Sequence, residues 1–317
     1  MKTKNILLLC GGGSTEHDVS LVSVKHIKDC LSKLPFINLT TVEISKSGEW
    51  LDEKGKAFTL EPKKFDFAIP CIHGYPGETG DIQSYFEMQG LPYLGCNAET
   101  SKMCFNKITT KLWATALGVA NTPYIFISDL SDKNLQSAKE FCQKHGDVVV
   151  KASNQGSSVG CYLVQKDHDP VETIKKAFLY SPYVLIEKRL HPRELEISVY
   201  EFNGQLQLSY PGEIICPSKF YSYEEKYSQV SQTTTETRAT QLTPEQVKTM
   251  TDYATKLYHG LKIRHLSRID FFLDNENIYL NEINTFPGLT PISMFPKMME
   301  ANGHSFTEFL AQIIKQH

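Results

Sequence analysis

Apolar residues recur along this chain at several spacings, and each spacing predicts an element. Ile6 to Cys10 is an uninterrupted apolar run ending in Gly11-Gly12-Gly13-Ser14, which predicts a short buried parallel strand and a tight turn. Leu21, Val24, Ile27, Leu31 and Leu34 then fall at helical intervals. Phe67 to Cys71 predicts a second buried strand, followed by the glycine-rich stretch His73 to Gly80 and a helix closed by Gly90. A first α/β lobe therefore runs to about Gly95. Its strand–glycine loop–helix start resembles a nucleotide-binding unit, but the glycines lack the spacing of a dinucleotide fingerprint.

Beyond it, a helix is predicted from about Lys107 to Leu117, with Gly118 at its end. Val148 to Lys151 and Gly160 to Val164 read as two strands of a hairpin whose loop, Ser153-Asn154-Gln155-Gly156-Ser157-Ser158, is a flexible flap. A strand-rich third lobe opens near Val184 to Glu187 and continues with Glu194 to Phe202 and Leu206 to Tyr210. Thr243, Pro244 and Gln246 form a helix start with cap, N1 proline and N3 glutamine. Val247, Met250, Ala254, Leu257 and Leu261 supply that helix with its apolar stripe. Ser228 to Thr240, rich in Ser, Thr and Gln, reads as a mobile loop. The domains expected are 1–96, 97–183 and 184–317.

The most informative pattern is the hairpin from Arg268 to Asn284. Two alternating apolar runs flank Asp274-Asn275-Glu276-Asn277, a strong turn cluster. A turn centred on Glu276 sets Asp270 opposite Glu282 and Arg268 opposite Asn284. All four then share one sheet face, with Ile269, Phe271, Tyr279 and Ile283 on the other. Two carboxylates and an amide oxygen suit a hard divalent cation that bridges to phosphates. The adjacent Arg268 suits charge that develops during a reaction. A solvated sheet face is the plainer alternative.

Other segments add candidate chemistry. Gly156-Ser157-Ser158 offers backbone N–H groups and hydroxyls to phosphate oxygens, with Lys151 and Lys107 as positive charges; an ordinary turn with surface lysines is the alternative. Glu16 sits where the first helix begins, suited to a substrate ammonium, although acidic residues also favour helix N-termini through the dipole. His73 follows a strand at the carboxyl edge of the first sheet, where ligands usually bind. Pro287-Gly288 offers a backbone N–H to an oxyanion, and Lys226-Tyr227 could close over a bound carboxylate.

With 317 residues, 41% hydrophobic and 22% charged, the chain is an ordinary globular protein with room for two or three lobes. A net charge of −3 argues against a general nucleic-acid or membrane-surface partner. No apolar run reaches the roughly 18 residues of a membrane span. The eight cysteines show no C-x-x-C pair and read as reduced thiols of a cytoplasmic protein.

The order of these segments resembles the D-alanine–D-alanine ligases of the ATP-grasp superfamily over nearly the whole chain. The resemblance rests on Gly11 to Ser20, His73 to Gly80 with Ile82-Gln83, Gly90 to Gly95, Asn106-Lys107 and Val150-Lys151 with Gly156 to Gly160. It continues with Glu187, Arg193-Glu194, Phe220 to Tyr227, Arg268 with Asp270, and Glu282 to Gly288 with Ser293. It implies an ATP-grasp fold behind an N-terminal Rossmann-like α/β domain, and ligation of two D-alanines through an acyl phosphate for peptidoglycan. It also implies a homodimer. ATP would be held by Lys107, Lys151, Ser157, Ser158, Glu187, Lys188 and Glu194. Two magnesium ions, with manganese as an alternative, would sit on Asp270, Glu282 and Asn284. The resemblance makes Glu16, Ser157, Tyr227, Arg268 and Gly288 catalytic, with His73, Lys226, Ser293 and Met294 on the D-alanine substrates. The chain departs from the family pattern at Ser84, Asn106 and Ala152, and more broadly over Ser228 to Leu242, beside the expected second-substrate site. A ligase for another amino or hydroxy acid, and a non-catalytic nucleotide binder, are the competing readings.

Overall fold

The computed structural model describes residues 2–216 and 233–317. Four strands, β1 (Lys4–Gly11), β2 (Ile37–Ile44), β3 (Trp50–Asp52) and β4 (Phe67–Pro70), form a first sheet in the order β3-β2-β1-β4. β1 is parallel to both neighbours, β2 and β4. Ile6, Leu8 and Cys10 enter one core with Val24, Ile27 and Leu31 of helix α1 (His17–Ser32). Leu7 and Leu9 enter another with Phe86 of α2 (Asp81–Gln89). Both faces of β1 are covered, which is why its apolar run has no polar alternation. Gly90 ends α2 in the left-handed conformation, at φ 65°.

Helices α3 (Ala98–Phe105) and α4 (Lys107–Ala116) follow. Next come β5 (Tyr124–Ile127), β6 (Val148–Ala152), β7 (Cys161–Val164) and β8 (Val184–Lys188), an antiparallel sheet in the order β5-β8-β6-β7. Helices α5 (Asp132–His145) and α6 (Val171–Phe178) pack on Val148, Val150, Val184 and Ile186. Strand alternation turns Val149, Lys151 and Glu187 to the opposite face.

The third sheet holds β9 (Arg193–Phe202), β10 (Gln205–Leu208), β11 (Gly212–Ile215), β12 (Thr234–Glu236), β13 (Leu266–Asp274) and β14 (Asn277–Asn284). Leu195, Ile197, Ile269, Phe271 and Leu280 pack under α7 (Pro244–Gly260), whose capping box joins Thr243 and Gln246 as expected. The C-terminal helices α8 (Met294–Ala301) and α9 (Phe306–Lys315) share a core with α1 and β1.

Four expectations need correction. Val184–Lys188 pairs with β5 and β6 and completes the middle sheet, so it does not open the third lobe. Cys104 and Ala114, on α3 and α4, lie in the core beneath the third sheet, so the apolar side of that stretch belongs to the third lobe's core rather than the middle sheet's. The described part of the Ser-Thr-rich stretch holds β12, paired with β11. Finally, the β13–β14 turn is tighter than expected, because Asp274 pairs with Asn277. A β-bulge after Asp270 restores the expected Asp270–Glu282 and Arg268–Asn284 pairs, but it moves Tyr279 opposite Phe272. Ile278 and Leu280 enter the core in place of Tyr279.

No helix among the described residues is long and apolar enough to cross a membrane. All eight cysteines are free, six of them buried.

Candidate active site

The site lies where the polar faces of the second and third sheets meet the glycine loops of the first. On the third sheet, Asp270 of β13 stands in register with Glu196 of β9 on one side and Glu282 of β14 on the other. Three carboxylates in a cross-strand row repel one another unless cations intervene. Arg268 supplies one cation. Its Nε and Nη2 donate to the two Asp270 oxygens at 2.8 and 2.7 Å, and Nε lies 3.3 Å from Glu196 Oε1. Burial alone would lower the Arg268 pKa, but Asp270 and Glu196 more than offset it and hold the guanidinium charged. Asn284 Nδ2 donates to Asp270 Oδ2 at 2.9 Å.

A carboxylate row of this kind fits a hard cation completed by phosphate oxygens. Among the described residues, no three His, Cys, Asp or Glu side chains converge as a ready-made metal cluster. Glu282 and Asn284 face open space, whereas Asp270 is only 7% exposed and is held by Arg268.

Two cavities meet here. The narrower, of about 140 Å³, lies between the second and third sheets. All seven residues expected around a nucleotide line it: Lys107, Lys151, Ser157, Ser158, Glu187, Lys188 and Glu194. Phe272 and the bulge neighbour Asn281 form its far wall. Thr122 also lines it. Ser157 and Ser158 both take positive φ, 48° and 60°. Consecutive residues bent this way aim backbone N–H groups into a concavity suited to anions.

The wider cavity, of about 460 Å³, is lined by Glu16, His73, Ser157, Arg268, Gly288, Ser293 and Met294, together with Glu282 and Asn284. Lys107, Ser157 and Glu282 border both spaces. Lys107 Nζ donates to Gln155 O at 2.8 Å and lies 3.3 Å from Glu282 Oε2. Lys226 and Tyr227 lie outside the described residues.

Local structure explains several placements. Glu16 is the N-cap residue of α1 but makes no side-chain cap bond. A Cβ added to Gly156 would sit 3.3 Å from Glu16 Oε2, so the flap backbone passes close over this carboxylate. At Gly288 a Cβ would come within 2.9 Å of Ser293 Oγ, so glycine keeps this turn open. His73 is buried beside Ser23 Oγ, 3.1 Å from its Nε2, and burial lowers its pKa. It therefore forms a neutral wall of the wide cavity. Asn106 caps α4 by accepting from Ile108 N and Thr109 N, and it also accepts from Ser153 Oγ at 2.7 Å.

Three further residues stand in or behind the site. Glu78 lines the wide cavity. Glu196 follows Glu194 at strand spacing, a period-2 signal that would have found it. Lys111 lies four residues after Lys107 on α4, and its Nζ is 2.6 Å from Glu187 Oε1.

A narrow slot between two antiparallel sheets, opening onto a second polar chamber, defines the class: this is an ATP-grasp fold, as in the solved structures it superposes on. The family model "D-ala D-ala ligase C-terminus" matches residues 112–315. D-alanine–D-alanine ligases of Vibrio atlanticus and Aeromonas hydrophila are 52% and 51% identical, covering 99% and 100% of this chain and 99% of each relative. The crystal structure of D-alanyl-alanine synthetase A from Vibrio cholerae superposes with a TM-score of 0.94 at 49% identity, covering 100% of this chain and 98% of that one. A D-Ala:D-Ser ligase from Enterococcus faecalis superposes at 0.86 with 25% identity, covering 99% of both chains. The chain belongs to the D-alanine–D-alanine ligase family.

Proposed function

We propose that the protein joins two D-alanines at the expense of ATP, forming D-alanyl-D-alanine for peptidoglycan with release of ADP and phosphate. The observation that carries this reading is the meeting of two chambers at Lys107, Ser157 and Glu282, one cationic and slot-like, the other lined by Glu16 and Arg268. Lys107 and Lys151 take the phosphates, the Gly156–Ser158 turn wraps them, and Glu187, Lys188 and Glu194 line the adenosine end. Asp270, Glu282 and Asn284 would hold magnesium, which would spread the phosphoryl charge when bound. The resemblance adds a second ion, manganese as a substitute, and a homodimer.

The carboxylate of the first D-alanine attacks the γ-phosphorus, ADP leaves, and an acyl phosphate remains. The amine of the second D-alanine attacks the acyl carbon, losing a proton as phosphate departs. Glu16 anchors the first ammonium. Arg268 and the Gly288 N–H face the chamber in which the tetrahedral oxyanion develops. His73, Ser293 and Met294 wall the amino-acid chamber, and Lys226 and Tyr227 complete the second-substrate side. Closure of the flap keeps water from the acyl phosphate.

Likeness to a D-Ala:D-Ser ligase favours one alternative, a different second substrate on the same machinery. Phosphate release from ATP with D-alanine alone, against D-alanine mixed with D-serine or D-lactate and against L-alanine, separates the two. Release with D-alanine alone and a D-alanyl-D-alanine product supports the reading; product formed only in the mixtures overturns it.

A further inference from the structure

Lys111 lies behind the nucleotide slot. It is 1% exposed, among the largest fully buried side chains, and does not line either chamber. Lys107 and Lys111 share a face of α4, but Lys107 reaches Glu282 and Gln155, whereas Lys111 turns inward to Glu187. Glu187 is itself only 4% exposed, and it serves two ammoniums. Lys111 Nζ is 2.6 Å from its Oε1, and Lys151 Nζ is 2.6 Å from its Oε2. The Tyr124 ring lies 5.4 Å from Lys111 Nζ and adds a weaker contact to this cation.

Burial lowers the Lys111 pKa and the Glu187 carboxylate opposes that shift. With both amines protonated, two positive charges on one carboxylate leave an excess that an anion in the slot would complete. The two lysines are not equivalent. Lys151 lines the slot with a side chain 14% exposed, while Lys111 at 2% cannot reach it. We propose that Lys111 is a positioning residue for the nucleotide, holding Glu187 so that Lys151 can leave that carboxylate for the phosphates. Without Lys111, any movement of Lys151 toward phosphate strands a buried carboxylate. Lys151 is then trapped on Glu187. This inference rests on the ATP reading of the slot.

The test is calorimetric titration of a non-hydrolysable ATP analogue with magnesium and no amino acid. Four proteins are compared: wild type, Lys111→Met, Glu187→Gln, and the double variant. Stranding a buried charge is strongly unfavourable, so Lys111→Met should weaken binding roughly tenfold or more. The same substitution in the Glu187→Gln background should change affinity little, because no carboxylate is left to strand. A purely structural lysine would cost the same in both backgrounds, and that result overturns the proposal, as does wild-type affinity in Lys111→Met. If Lys111→Met does not fold, the comparison of Glu187→Gln with the double variant still decides, since equal affinity supports the role and a large loss refutes it. A wild type that does not bind the analogue refutes the ATP reading itself, a failure visible before any variant is made.

Discussion

Arg268 and Asp270, two residues apart on β13, are joined by parallel hydrogen bonds of 2.8 and 2.7 Å. The guanidinium proposed for the oxyanion thus also clamps a carboxylate proposed for magnesium. Removing an oxyanion donor typically costs ~100- to 1,000-fold in turnover. Arg268→Ala should lower kcat by that order and also raise the magnesium concentration needed for half-maximal rate. Residues sharing one hydrogen-bond network are non-additive, so Arg268→Ala with Asp270→Asn should cost less than the two losses combined. Steady-state kinetics against magnesium checks both points, and an Arg268→Ala enzyme with unchanged kcat would remove it from the reaction.

Glu282 is the carboxylate common to both chambers, with a side chain 28% exposed. Glu282→Ala should abolish turnover while barely moving the melting temperature, since a partly exposed site residue contributes little packing. Lys107 retains its bond to Gln155 O in that variant. Rates near wild type at saturating magnesium would rule Glu282 out as a metal ligand.

Much of this site was legible because strand alternation is a rigid rule. Arg268, Asp270, Glu282 and Asn284 share a face in the sequence and in the structure. Lys151 is legible from its place at a strand end beside the Gly156-Ser157-Ser158 loop, whereas Glu187 comes from the family resemblance alone. The expected turn was nevertheless wrong by half a step, and the β-bulge compensated only at the site end of the hairpin. Periodicity has no signal for one extra residue in a strand, so it places Tyr279 on the core face that Ile278 and Leu280 occupy. Sheet membership was illegible for another reason. Val184–Lys188 is apolar enough for any sheet, and its pairing with β5 and β6 depends on chain paths that local pattern does not record. Lys111 was missed because a lysine on an amphipathic helix usually means solvent.

Glu16 and the nucleotide slot are separate in space, since Glu16 lines the wide chamber and not the narrow one. Glu16→Gln removes a charge-assisted contact to the first ammonium. It should raise KM for the first D-alanine while leaving affinity for an ATP analogue unchanged. Initial-rate kinetics over a D-alanine series, with analogue binding in parallel, tests this. Equal losses in both measurements would mean that Glu16 holds the flap rather than the substrate.

Glu78 carries the pH dependence most readily isolated. Its Oε2 accepts the Gly74 N–H at 2.7 Å, which favours the charged form. Burial, followed by the nearby Glu16 carboxylate, outweighs that contact and pushes the carboxyl up from 4.5 to about 8. At pH below 4.5, folded and unfolded chains both hold the proton, so the group has no effect on stability relative to that reference. Between 4.5 and about 8 the unfolded chain releases it while the folded chain keeps it, so stability falls as pH rises. Above about 8 both states are ionised and the loss levels off. Glu78→Gln preserves an acceptor for Gly74 and does not titrate. Its melting temperature should match that of wild type at the acid end of the window and exceed it increasingly toward the alkaline end. Thermal melts of both proteins across this pH range, without nucleotide, measure the difference directly. A difference independent of pH would show that the Glu78 carboxyl ionises as an ordinary glutamate, and one that shrinks as pH rises would show a carboxyl pushed down instead of up.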